Sequence, residues 1–237
     1  MTAIFAHRGL HERARENTIE AFEAACALGA DGVELDVRRS ADGRLVVHHD
    51  PRVGALVIAE HRASDLASYV PTLAAVLAAT RGATVNVEVK NLLEADEPTY
   101  DASGDFAEAV VAAVGDSGRE NDVVYSSFDF ATCTVLQRIS SRPVGWLLDW
   151  TLDQFDCLER AAAAGFSAVN PYVGLVDAAL VERARALGLG LNVWTVNAPA
   201  DLAAMLALGV DVVITDDPRT AMTLRDQGPA EPSSPMA

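Results

Sequence analysis

From Ile4 to Asp226 the chain alternates short apolar runs with amphipathic helical segments, almost without interruption. This rhythm constrains the fold more than any other feature, because a strand that is apolar on both faces needs helices to cover it. Val123-Val124 and Asp211-Val212-Val213-Ile214 are runs of that kind. Strands are expected at 4–7, 32–38, 84–90, 122–126, 143–148, 167–170, 190–196 and 211–215. Helices are expected at 18–28, 72–79, 105–114, 130–139, 152–164, 177–187, 199–208 and 219–226. Asn17, with Glu20 three residues on, reads as a capping-box start for the first helix, and Gly29 stands where a C-cap glycine belongs. A further strand, 44–48, follows the turn at Asp42-Gly43 and pairs as a hairpin.

Eight strand–helix units in about 225 residues predict an α/β fold, a closed (β/α)₈ TIM barrel at the compact end of its size range. It is a single domain over 1–226, with a short extra hairpin strand after the second barrel strand. An open doubly wound sheet fits less well, since no Gly-rich phosphate loop follows the first strand. Residues 227–237 carry three prolines and little apolar content, so a disordered tail is expected there.

Charge narrows the partners. The chain has 34 acidic and 18 basic side chains and a formal charge of -16. Bulk electrostatics therefore disfavour nucleic acid and anionic membranes, and an anionic ligand needs a local positive field. Cys26, Cys133 and Cys157 fit neither a zinc spacing nor a disulfide framework, which points to a reducing, cytoplasmic setting. No signal-peptide start and no apolar run of roughly 20 residues is present, so no stable membrane insertion is expected.

In such a barrel, polar residues at the C-terminal ends of strands face the active site. Those ends supply His7 and Arg8, Glu34 and Asp36, Glu88 and Lys90, and further on Asn170, Trp194 with Asn197, and Asp216. Glu34 and Asp36 lie two apart on one strand and share a face, and Glu88 stands on the neighbouring barrel strand. Three converging carboxylates repel one another unless a hard divalent cation or basic side chains offset them. Arg8, Arg38 and Lys90 are the candidates for an ion network of the second kind. His7 and His49 suit a general acid–base pair near neutral pH. Arg8 and Lys90 suit a phosphate. His48 alternates to the other face of its strand, and His11 and His61 lie in loop or helix-start positions with no expected chemistry.

The motifs, in order, resemble those of the glycerophosphodiester phosphodiesterases. They are His7-Arg8-Gly9, Glu16-Asn17-Thr18, Gly29 to Val37 with Glu34 and Asp36, Asp42-Gly43, and His49-Asp50-Pro51. Pro71-Thr72-Leu73, Asn86 to Lys90, Ser127-Phe128, Val193 to Asn197, Gly209-Val210-Asp211 and Thr215 to Pro218 follow. The resemblance spans residues 4 to 218. It implies metal-dependent hydrolysis of a glycerophosphodiester to glycerol 3-phosphate and an alcohol. It implies that Glu34, Asp36 and Glu88 hold one divalent cation, Ca²⁺ or Mg²⁺. By the same resemblance His7 and His49 move protons, while Arg8 and Lys90 contact the substrate phosphate. Glu16 and Asn17 would stand at the edge of the site, against the plainer reading of Asn17 as a helix cap. Trp194 would wall the glycerol pocket, against a role as a core aromatic. Asn86 would support Glu88, and Asp216 or Asp217 would cap the last helix or join the site.

Between Asp50 and Pro71 the chain departs from the family. Many bacterial relatives carry a long insertion there that closes over the alcohol, whereas here only a short segment remains, which implies a more open mouth. A lysophospholipase D or sphingomyelinase-D-like phosphodiesterase acting on lysolipids is the alternative activity, and a catalytically silent binding barrel is a third reading. The expected partner is a small-molecule phosphodiester.

Overall fold

The computed structural model describes residues 1–92, 100–119 and 122–228, so the expected tail lies, from residue 229 onward, outside the described residues. The strands are β1 (Ala3–His7), β2 (Gly32–Arg39), β3 (Leu45–Val47), β4 (Arg52–Val53), β5 (Leu56–Val57) and β6 (Thr84–Val89). They continue with β7 (Val123–Ser127), β8 (Val144–Leu148), β9 (Ala168–Pro171), β10 (Gly190–Val193) and β11 (Val212–Thr215). Strands β1, β2 and β6 to β11 run parallel, each paired to the next, and β11 returns to β1 to close the barrel. Strand β3 bonds antiparallel to β2 outside the ring, with Val37 opposite Val47.

Helices α1 (Ile19–Leu28), α2 (Leu73–Ala79), α3 (Asp105–Asp116) and α4 (Phe130–Ile139) follow the first four barrel strands. Helices α5 (Gln154–Ala163), α6 (Ala178–Ala186), α7 (Pro199–Leu208) and α8 (Pro218–Gln227) follow the rest. The strand period of two sorts residues between ring and interior. Val33, Leu35 and Val37 on β2, and Val85, Val87 and Val89 on β6, are fully buried in one core with Leu73, Val76 and Leu77 of α2. The alternate positions Glu34, Asp36, Asn86 and Glu88 are left to the barrel interior.

Helix starts follow hydrogen-bonding side chains. Thr18, Thr72, Asp129, Asp153, Asp177 and Asp217 each accept a bond from the backbone N–H three residues on. The expected Asn17 cap is therefore one residue off: Thr18 caps α1, and Asn17 has another use. Asp153 likewise sets the start of α5 at Gln154, not Leu152. Strand β10 stops at Val193, short of the expected Val196, and Trp194 continues the parallel register as an isolated bridge to Tyr172.

The segment after Asp50 folds into the β4–β5 hairpin and two short 3₁₀ turns, none of which the apolar pattern had marked. Val53, Ile58 and Leu66 pack with Val46 of β3 as a second small core. Among the described residues no helix is long and apolar enough to cross a membrane. Cys26, Cys133 and Cys157 are free thiols.

Beyond the end of α3, Arg119 is buried and sends its guanidinium to the carbonyls of Leu77, Thr80 and Ala83 at 2.5, 3.1 and 2.9 Å. These carbonyls end α2 and lead into β6, so one side chain satisfies the whole turn. Removing it strands buried acceptors, each costing about 1–3 kcal/mol. Arg119→Ala is expected to lower stability by about 3 kcal/mol, or roughly 6–12 °C in Tm. Thermal unfolding followed by circular dichroism checks this, and an unchanged Tm would contradict it.

Candidate active site

Strand register brings the polar residues together. His7 on β1 sits opposite Glu34 on β2, which sits opposite Asn86 on β6. One step further along, Asp36 is opposite Glu88, and Glu88 opposite Ser126. Two levels of inward-pointing polar side chains result. Glu34, Asp36 and Glu88 are buried, and one oxygen from each lies within 4.8 Å of the others.

Burial and the neighbouring charges of Asp36 and Glu88 push the Glu34 carboxyl well above its ordinary pKa. Glu34 Oε1 finds no hydrogen-bond partner. Burial would also raise Asp36, but Lys90, Arg8, His49 and Asn17 outweigh it and hold that carboxyl below its ordinary pKa. Lys90 Nζ lies 2.8 Å from Glu88 Oε1 and 3.3 Å from Asp36 Oδ1. Arg8 Nε lies 3.3 Å from Asp36 Oδ2, and its Nη1 donates to Glu16 Oε1 at 3.0 Å. Two of the three expected counter-cations thus pair with the cluster. Arg38 donates Nε and Nη2 to the carbonyl of His49, at 2.8 and 2.6 Å, and so braces the loop that carries the imidazole. A cluster of acceptor-only oxygens with an unpartnered atom at Glu34 fits a hard divalent cation.

The loop after β1 is strained around this cluster. Arg8 and Asn17, neither a glycine, both have φ of +56°. The Arg8 N–H donates to the Glu34 carbonyl, and the Asn17 N–H donates to the Arg8 carbonyl. Asn17 Nδ2 then reaches Asp36 Oδ2 at 2.7 Å. Asn17 holds a cluster carboxylate, and the left-handed backbone delivers it there. Gly9 admits no side chain, since a Cβ would stand 2.7 Å from the Ala21 carbonyl carbon of α1.

Each expected catalytic imidazole rests on an aspartate. His7 Nδ1 is 2.7 Å from Asp216 Oδ1, and its Nε2 is 3.9 Å from Glu34 Oε2. His49 Nδ1 is 2.8 Å from Asp50 Oδ1. Burial and the Lys90 charge lower the His49 pKa. Asp216 also accepts from Asn197 Nδ2 at 2.6 Å, while its own N–H donates to Asn197 Oδ1 at 2.9 Å. Asp217, not Asp216, caps α8. His11, which the sequence left outside the mouth, places Nε2 3.2 Å from the same Asp216 oxygen, and this hydrogen bond raises its pKa. His48 and His61 bond only to nearby backbone carbonyls, of Asp50 and Val57.

A cavity of about 520 Å³ opens over these groups, lined among others by His7, Arg8, Glu34, His49, Asn86, Glu88, Lys90 and Trp194. Trp194 donates Nε1 to the Asn170 carbonyl at 2.7 Å and meets Phe128 edge-on. From the segment 50–70 only Asp50 and Pro51 line the cavity. Phe128, of the Ser127-Phe128 motif, also lines it, as do Asp149 and Trp150, which sequence reasoning passed over. The signal was present, since Asp149-Trp150 directly follows the apolar run at the end of β8.

Comparisons with known proteins give the family and the fold. Residues 7–220 match the Glycerophosphoryl diester phosphodiesterase family. A glycerophosphodiester phosphodiesterase of Caldanaerobacter subterraneus is 30% identical, covering 96% of this chain and 99% of its own. One from Bacillus altitudinis is likewise 30% identical, over 96% and 99% of the two chains. The crystal structure of a glycerophosphodiester phosphodiesterase from Parabacteroides distasonis superposes with a TM-score of 0.83 at 25% identity, covering 95% and 97%. A buried carboxylate triad, two aspartate-backed histidines and a (β/α)₈ ring thus coincide with likeness over nearly the whole chain, which belongs to the glycerophosphoryl diester phosphodiesterase family.

Proposed function

We propose that this enzyme hydrolyses glycerophosphodiesters to glycerol 3-phosphate and an alcohol, with one divalent cation, Ca²⁺ or Mg²⁺, held by Glu34, Asp36 and Glu88. The observation that carries the proposal is the buried triad flanked by two histidines and two basic side chains at one end of the barrel. A cation bound there supplies Lewis-acid stabilisation of charge on the phosphoryl oxygens. Arg8 and Lys90, which line the same cavity, draw the phosphate against a protein of net charge -16. Asn17 and Glu16 fix Asp36 and Arg8 in place, and Asn86 stands one register step below Glu88.

Proton transfer falls to the imidazoles. An ionised aspartate only accepts, so Asp216 and Asp50 commit Nδ1–H of His7 and His49 and leave each Nε2 for exchange with substrate. His49, with its pKa lowered, is suited to take the proton of the attacking oxygen, whether from water or the glycerol 2-hydroxyl. His7 then protonates the departing alcohol, its ring oriented by the Asp216 carboxylate. Trp194 walls the glycerol side. A charge of -16 favours small soluble phosphodiesters over anionic bilayer lipids as substrates.

A coupled assay for glycerol 3-phosphate, with glycerophosphocholine as substrate, tests the metal. Activity is expected to vanish with EDTA and return with Mg²⁺ or Ca²⁺; activity indifferent to chelation removes the cation from the account. His7→Ala and His49→Ala are each expected to lower kcat by about 10²–10⁴ with the fold intact by circular dichroism. A variant turning over at wild-type rate would take that histidine out of the mechanism. Asp216→Ala should lower kcat about 10- to 100-fold with KM little changed, because of the three side chains it holds, His7, His11 and Asn197, His7 is the one assigned to proton transfer. An unaltered kcat would reduce Asp216 to a structural residue.

A further inference from the structure

The active-site cavity is divided by charge. Its basic lining residues, His7, Arg8, Arg38, His49 and Lys90, share the half supplied by β1, β2, β3 and β6 with the carboxylates of Glu34, Asp50 and Glu88. The half supplied by β7, β8, β10 and β11 carries, among the described residues, one charged side chain, Asp149. That half is aromatic. Phe128, Trp194 and Trp150 line it, and Tyr172, outside the lining, joins Trp194 to Trp150, so that the four rings form a row of edge-on contacts with centroids 5.3, 5.8 and 6.0 Å apart. The row begins beside Lys90, whose Nζ is 5.9 Å from the Phe128 centroid, and ends at Trp150 on the rim.

Trp150 is 67% exposed, with only its edge-on contact to Tyr172 among the described ring contacts. Its neighbour Asp149 is held in place, with Oδ1 accepting from the backbone N–H and hydroxyl of Thr151 at 2.7 and 2.5 Å. Phe155 and Leu175 are also exposed, yet neither lines the cavity. An open indole face beside a fixed carboxylate, in a strongly acidic protein, is chemistry that attracts an organic cation.

Resting on the phosphodiesterase reading above, we propose that Trp150 and Asp149 form a leaving-alcohol subsite for phosphodiesters whose alcohol carries a quaternary ammonium. The phosphate lies on the half that holds the cationic side chains and the carboxylate triad, and the ammonium on the aromatic half beside Asp149, the one charged side chain there. A neutral alcohol gains nothing from that wall.

The test is the ratio of kcat/KM for glycerophosphocholine to that for glycerophosphoglycerol, measured at fixed ionic strength. The wild-type ratio is expected to be about tenfold or more. Trp150→Ala and Asp149→Asn should each bring it most of the way toward one, while Trp150→Phe keeps part of it. Both sites are at the rim, and thermal unfolding verifies that the variants fold. A wild-type ratio near one, or variants that lower both substrates equally, overturns the subsite. So does a Trp150→Ala defect confined to lysophosphatidylcholine, which would mean that the indole serves an acyl chain. Should wild type turn over none of the three substrates, the phosphodiesterase reading itself fails, a distinct result.

Discussion

Everything at the mouth of this barrel answers to the burial of three carboxylates side by side. The pairing of Asp36 with Glu88, and the position of Glu34 two residues before Asp36, follow from parallel register alone. Carboxylates so placed cannot all stay ionised in a dry interior without a counter-charge. The structure meets that demand partly with Lys90 and Arg8, and partly with the amide of Asn17 on Asp36. Glu34 is left with an unpartnered oxygen and a raised pKa. The remaining deficit is what the proposed cation would offset.

The same deficit explains the strain next to it. Arg8 and Asn17 hold left-handed backbone, and each is tied by its N–H to a neighbouring carbonyl that fixes the conformation. In return, the guanidinium of Arg8 and the amide of Asn17 both arrive on Asp36. Strain at these two positions is concentrated where charge must be managed, and the ring beneath is regular. On the far side of the cavity no comparable demand exists, and an aromatic wall replaces the charged one.

How much of this could be read from the letters depends on the range of the interaction. The barrel was legible because strand and helix periodicity are local, and Val33, Leu35 and Val37 alternate with Glu34 and Asp36 on one strand. The carboxylate triad was legible because parallel strands carry their polar ends to one side. Asn17 was misread as the cap because Asn and Thr both cap helices, and only the backbone conformation assigns Thr18 to that task. Asp216 and His11 are 205 residues apart, and no local pattern announces that they share a hydrogen bond. The hairpin at 52–57 was missed because two-residue strands have no period to detect. Its small core packs on Val46 of β3, and of residues 51–70 Pro51 alone lines the cavity.

The central claim is that the triad is a cation site and not a closed ion network. Anomalous diffraction from crystals soaked in Mn²⁺ measures this directly, since Mn²⁺ stands in for either hard cation. The account predicts one strong peak among the carboxylates of Glu34, Asp36 and Glu88, with Lys90 Nζ moved off the oxygens it now approaches. A map without a peak there, with Lys90 still bridging Asp36 and Glu88 at saturating Mn²⁺, would contradict it.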